Sequence, residues 1–339
     1  MKKVVNVGID VGSTTVKAVV MDQKKNILYS DYRRHFSNTK KTIKEIFDEI
    51  LEKFDNYNFS LVATGSGAIA LTKHLKIPFV QEVIACKNSI MEYAPSTDVA
   101  IELGGEDAKI IYFDQTIEQR MNGTCAGGTG AFLDQMAVLL NTTTEGLNEL
   151  ATSGTKIYPI ASRCGVFAKT DIQPLINEGA RKEDIALSIL QAVVNQTISG
   201  LACGKPIRGN VIFLGGPLNY LSVLKERFIK TLNLKKEEVI IPEDARLFVC
   251  IGAILDKTHK ASFTKEEIKE LLQKLEDFKE EQSINLEPLF KNDKEYQAFK
   301  NRHLKNTVKR KELATYHGNV FIGIDAGSTT AKVVAIDEE

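Results

Sequence analysis

An excess of charge of either sign is missing from this sequence: 44 lysines and arginines stand against 44 aspartates and glutamates in 339 residues. A chain so balanced has no electrostatic footprint for DNA, RNA or an anionic membrane. Long hydrophobic runs are missing as well. No stretch of about 18 apolar residues occurs, so no helix is expected to span a bilayer. The start MKKVVNVGIDVG lacks the apolar core of a signal peptide, and the protein reads as cytoplasmic. Cysteines number five, which in a reducing compartment argues against a disulfide framework and leaves burial, metal ligation or reactivity. The P-loop pattern G-x-x-x-x-G-K-[ST] is also absent, so that class of nucleotide site is unsupported. What remains is an ordinary globular composition, 43% hydrophobic and 26% charged. Its length suggests two or three domains of roughly 100–200 residues each.

A repeat is present. VGIDVGSTTVKAVVMD, beginning at Val7, returns as IGIDAGSTTAKVVAID, beginning at Ile322, an offset of 315 residues (322 minus 7). The second copy is expected to open another domain of the same kind beyond residue 339. Taken alone it presents unpaired strand edges, suited to pairing with a neighbouring chain. Between the copies the pattern is mixed α/β. Strands are read at about 4–11, 16–22, 27–33, 61–64, 98–103, 108–113 and 210–214. Helices are read at about 40–54, 83–93, 131–140, 184–204, 217–231 and 246–257. A charged stretch with helical content, 259–318, reads as a linker before the truncated repeat at 319–339.

Three strand-to-glycine turns carry candidate chemistry. The first ends a strand at Asp10 and turns through Gly12, Ser13, Thr14 and Thr15 into a strand bearing Lys17. Glycine admits a close backbone approach, amides and hydroxyls donate to phosphate oxygens, and an aspartate at a strand tip can hold Mg²⁺. The second, ELGGEDAK, frees the backbone at Gly104 and Gly105 and places Glu106 and Asp107 where they could orient water or a metal. The third is an apolar strand, VIFL, running into Gly215, Gly216 and Pro217 at a helix start, where a flat ring or a phosphate can lie against bare backbone. Any one of these could be an ordinary polar hairpin; three in one chain point to a nucleotide. A Rossmann alternative exists at Gly65–Ala70, G-x-G-x-x-A, with Glu82 as the ribose ligand, but it leaves the other glycine turns unexplained.

DVGSTTVK, ATGSG, ELGGEDAKII and FLGGP, in this order, resemble the phosphate-1, connecting, phosphate-2 and adenosine segments of the acetate and sugar kinase/Hsp70/actin superfamily. Within it the chain is similar to the BadF/BadG/BcrA/BcrD group, closest to activators of 2-hydroxyacyl-CoA dehydratases, over about residues 3–256. The resemblance implies two ribonuclease-H-like lobes with ATP in the cleft between them. The lobes would be 1–95, with part of 240–258 packing back on the first, and 96–258. Asp10 and Asp107 would be the Mg²⁺ residues and Lys17 would lie near the phosphates. The family pattern has glutamine where this chain has Glu106, which leaves that residue as a base or as a brake on turnover.

From spacing alone Cys125 and Cys164, like Cys86, Cys203 and Cys250, read as small buried hydrophobes, since nothing resembles C-x-x-C. The flanks NGTCAGGTGAFLDQMA and ASRCGVFA resemble the ligand segments of the activators. The resemblance therefore implies that Cys125 and Cys164 bind a [4Fe–4S] cluster. Such a cluster takes four thiolates, so it would be shared with the same pair from a second subunit or a second repeat. It further implies ATP-driven transfer of one electron to a dehydratase or reductase component acting on a CoA thioester. Two rival classes remain, a small-molecule kinase of the same fold and a non-catalytic ATP-gated binding module.

Overall fold

Apolar residues on both faces from Val7 onward bury the strand β1 (Lys3–Val11) at the centre of a sheet. The structure is a computed structural model describing residues 3–114, 116–123, 127–161, 165–258, 261–278, 287–327 and 330–338. The chain turns back antiparallel as β2 (Thr15–Met21). A second turn, in which the Asp22 carboxylate accepts from the amides of Lys24 and Asn26, leads into β3 (Ile27–Arg34). The amphipathic helix α1 (Thr39–Lys53) crosses to β4 (Tyr57–Thr64), parallel to β1. Two more helices follow, α2 (Ala68–Leu75) and α3 (Glu82–Tyr93).

The same path is then walked again. An antiparallel meander of β5 (Val99–Leu103), β6 (Ala108–Phe113) and β7 (Ile117–Met121) precedes the helices α4 (Gly130–Leu139), α5 (Thr144–Thr152), α6 (Gly165–Asn177) and α7 (Lys182–Thr197). After them β8 (Val211–Leu214) lies parallel to β5. Next come α8 (Gly216–Tyr220), α9 (Ser222–Leu232), β9 (Val239–Ile240) and α10 (Phe248–Leu255). The chain then returns to the first sheet through β10 (Ala261–Phe263) and α11 (Lys265–Asp277). The strand orders β10-β4-β1-β2-β3 and β7-β6-β5-β8-β9 share one plan: a three-strand meander with a parallel strand against its first member. The fold is α/β with two ribonuclease-H-like lobes, as the sequence implies. Between the sheets lie α3 and α10, whose buried residues join Val19 and Val62 of one lobe to Ala100, Ile212 and Leu214 of the other.

Three expectations are corrected. Residues 261–278 are not linker. Thr264 caps α11 in a capping box with Glu267, and Ile268, Leu272 and Leu275, spaced on one helical face, bury against α1, α2 and β4. Local charge disguised that stripe. Helix 217–231 is broken at Leu221, because Pro217 starts one short helix and Ser222 begins the next. The helix read over 184–204 passes from α7 into a π turn at Ile198–Ala202. That Lys182–Ala202 stretch is long and apolar enough to cross a membrane, yet 72% of its apolar window is buried inside the protein, which makes it the core helix of the second lobe. The helices α2, α5 and α6 and the strand β7 were not anticipated.

Residues from Lys279 on form a separate unit with α12 (Asp293–Leu304) and a hairpin, β11 (Phe321–Ala326) with β12 (Ala331–Ile336). The hairpin reproduces β1–β2 in detail. Asp325 pairs in register with Lys332 at 2.8 Å, as Asp10 does with Lys17 at 2.7 Å. The Gly327 amide donates to Thr330 O at 3.0 Å, as Gly12 does to Thr15 O at 2.9 Å.

If α11 belongs to the first lobe, truncating its buried anchor must be felt by the whole unit. Ile268→Ala is expected to lower unfolding stability by about 2–5 kcal/mol in denaturant titration; a linker residue would leave the midpoint unmoved.

Candidate nucleotide cleft

The first turn is braced from below. The Gly67 amide donates to Val11 O at 2.9 Å, and Gly65, at φ +97°, packs so close to Val11 that a side chain there would overlap its carbonyl. Because Asp10 and Lys17 are register partners, their side chains share a face and meet at 2.7 Å, Asp10 being 3% exposed. Burial works against the Lys17 charge, but Asp10 foremost and then Tyr32 and Glu102 outweigh it and raise the ammonium pKa, so Lys17 stays a cation beneath the turn.

The second turn closes with the Gly104 amide on Asp107 O at 2.7 Å. Its carbonyls reach onward: Gly104 O accepts from the Gly130 amide at 3.0 Å and Gly105 O from the Ala131 amide at 2.7 Å. These are orphan donors at the start of α4, so the turn and that helix are clasped together. Below it Lys109 forms an ion pair with Glu82 and lies 3.9 Å from Glu102. Glu82 also accepts from the Ser66 amide at 2.9 Å. Against its burial, the charge of Lys109 and this amide hold the Glu82 carboxyl below its ordinary range. The first residue of α3 thus ties a first-lobe loop to a second-lobe hairpin. This engagement answers the Rossmann alternative: Glu82 faces a lysine and a turn amide instead of an open ribose site.

The two turns face each other. A Cβ on Gly105 would collide with the Thr14 hydroxyl, and Cγ2 of Thr14 would lie 2.9 Å from it. The third turn approaches from the side, with Gly215 at φ +90° against the Leu103 carbonyl and Gly216 against the Tyr32 hydroxyl. Thr14, Thr15, Gly105, Gly216 and Pro217 line an open cavity of about 270 Å³ between the lobes. Gly12, Ser13, Gly104 and Gly215 shape the turns without lining that cavity, and Asp10, Lys17 and Asp107 do not line it either. Glu106 is exposed on its turn, where its carbonyl accepts from Asn122 Nδ2 at 2.9 Å. Tyr32, Arg34, Asp134 and Tyr220 complete the walls. They carry no glycine or phosphate signature, and no signal in the sequence marks them.

Cys125 and Cys164 lie outside the described residues. Their neighbours do not: Gly127 and Gly128 on one side, Ala161 and Gly165 on the other, line one small cavity of about 10 Å³ with Phe132, Ala192 and Gln196. The described residues that flank the two cysteine segments therefore meet beside α4 and α6. Among the described residues no group of three or more potential metal ligands occurs. Cys86 and Cys250 are buried, and burial pushes both thiols up. Cys203 is exposed, against the sequence reading, because it sits at φ 45° where the π turn ends and the chain reverses.

The chain matches the BadF/BadG/BcrA/BcrD ATPase family over residues 7–256. The chain belongs to it. An uncharacterised protein of Methanocaldococcus jannaschii is 31% identical over 251 residues, 73% of this chain and 98% of that protein. The activator of lactoyl-CoA dehydratase from Anaerotignum propionicum is 29% identical over 258 residues, 73% of this chain and 95% of the activator. The crystal structure of component A of the (R)-2-hydroxyglutaryl-CoA dehydratase of Acidaminococcus fermentans superposes with a TM-score of 0.66 at 27% identity. It covers 75% of this chain and 97% of that one. In this ATPase family member the cleft described above is the place where the turns of both lobes meet.

Glu102 offers a test of the charge layer below the cleft. Burial raises its carboxyl above the ordinary 4.5, against the pull of Lys109, and its Oε2 has no hydrogen-bond partner. A raised folded-state pKa adds stability that is fully present below the unfolded value and is lost as pH climbs through the folded one. Glu102→Gln lacks that dependence. Urea midpoints should show the variant gaining on the parent from acid to neutral pH, and a pH-independent difference would contradict the assignment.

Proposed function

We propose that this chain is an ATP-hydrolysing activator that passes one electron to a dehydratase or reductase acting on a CoA thioester. The observation that carries the reading is the clasp between Gly104–Gly105 and the first amides of α4. It joins the nucleotide turn directly to the helix preceded by the Cys125 segment. The activator relatives support the same assignment by their names.

Thr14, Thr15, Gly105 and the amides of both turns would hold the phosphates, Gly216 and Pro217 would flank the nucleoside, and Lys17 would balance charge from beneath. Asp10 and Asp107 would hold Mg²⁺, directly or through water. Glu106, exposed at the turn, would orient the attacking water. Nucleotide bound between turns of opposite lobes favours the closed state, and closure moves α4 through its clasp.

The cysteine flanks fit a [4Fe–4S] cluster. They are small residues gathered at helix starts, beside the buried Gln196 Oε1, which lacks a hydrogen-bond partner. Held by Cys125 and Cys164 with the same pair from a second domain, the cluster would supply a low-potential electron. That second domain would come from another subunit or from another domain of the same kind.

Anaerobically purified protein is expected to contain iron and sulfide at one cluster per pair of domains and to hydrolyse ATP without a sugar or acetate acceptor. Cys125→Ser should abolish the cluster and spare nucleotide binding. Stoichiometric cluster in that variant would sink the ligand assignment.

A further inference from the structure

Two contacts cross the mouth of the cleft from β3 of the first lobe to the second lobe. Arg34 Nη2 lies 2.6 Å from Asp134 Oδ2 on α4. Nearby, Tyr32 and Tyr220 meet edge to face with ring centroids 5.8 Å apart. Arg34 is the one cation among the described residues lining the cavity, whereas Asp134 and Glu145 are its acidic members. A polyphosphate in the cavity lined by Thr14 and Gly105 therefore meets a guanidinium whose present partner is a carboxylate on the helix that follows Cys125.

We infer that Arg34 is the residue that reads the terminal phosphate of ATP: the phosphate takes the guanidinium from Asp134 and so releases α4 from the first lobe. The exchange is chemically favoured. A guanidinium binds phosphate oxygens through two parallel hydrogen bonds, and a phosphate brings more charge than a carboxylate. The existing pair is weakly held, since the side chains of Arg34 and Asp134 are 47% and 35% exposed and water screens them. Asp134 is not orphaned when Arg34 leaves, because it already accepts from Thr144 Oγ1. The helix α4 is held in the second lobe by its buried residues Phe132, Leu133 and Met136 and by the turn through its first amides, and to the first lobe through the Arg34 pair with Asp134. Exchange removes the first-lobe hold only, so α4 then follows the second lobe alone. ADP lacks the γ-phosphate and leaves the pair in place. The difference between ATP and ADP thereby becomes a difference in the position of the helix next to the cysteine segment.

This inference rests on the nucleotide reading of the cleft, and titration of fluorescent ATP and ADP analogues into the full chain separates the two. Failure of the parent protein to bind either nucleotide would overturn the cleft reading itself. Given binding, Arg34→Gln should weaken ATP about tenfold or more, the loss of a charge-assisted hydrogen bond, and change ADP affinity far less. Arg34→Lys should recover part of the loss. Asp134→Asn should leave ATP affinity unchanged or tighter, since it removes the competitor. Hydrogen exchange supplies the second readout: ATP but not ADP should raise exchange in α4 of the parent, and Asp134→Asn should show the raised level without nucleotide. Equal losses for ATP and ADP in Arg34→Gln, or ATP binding weakened by Asp134→Asn, would overturn the assignment.

Discussion

At Gly252 the helix α10 lies so close to α3 that a methyl group would overlap the Ala85 carbonyl, and at Gly8 a Cβ would come 2.7 Å from the Cys250 carbonyl of the same helix. Real Cβ atoms do not accept such distances, so α3, α10 and β1 form a stack whose spacing is fixed by the absence of side chains. This stack is the joint between the lobes: one sheet packs on it from each side. The distance between the Thr14 turn and the Gly105 turn, and hence the width of the cleft, is set by how closely these backbones approach. A looser joint would leave two phosphate turns with nothing between them to share.

Above the joint lies a layer of charge that is unusually well enclosed. Lys17 with Asp10, and Lys109 with Glu82 and Glu102, place two cations beneath the two turns, one in each lobe. Buried charges of this kind contribute little net stability, because desolvation offsets the attraction. Their value is positional: each lysine is kept charged by carboxylates and held beneath its glycine turn. Glu82 adds the cross-link, since it binds an amide of one lobe and a lysine of the other.

The parts legible in the sequence are those whose chemistry is local. A turn that needs glycine and hydroxyls declares itself in DVGSTTVK, and a hairpin of fixed length puts Asp10 opposite Lys17 by register alone. The same locality makes the repeat fold alike twice, as the Asp325–Lys332 pair shows. The parts that stayed hidden are long-range. Arg34 and Asp134 are 100 residues apart, and nothing in either neighbourhood announces the other. The helix α11 was hidden differently, because its stripe of Ile268, Leu272 and Leu275 is embedded in charge and its partner surface comes from the other end of the domain.

By itself the sequence determined the glycine turns, the α/β alternation and the family, because each depends on backbone conformations and spacings encoded within a few residues. Only the tertiary structure decided which turn residues face one another, that residues 261–278 complete the first lobe, and that α4 is gripped by the Gly104–Gly105 turn on one side and by Arg34 on the other. These are outcomes of packing between segments distant in the chain. Such packing is governed by shape and close approach, which a linear pattern does not carry.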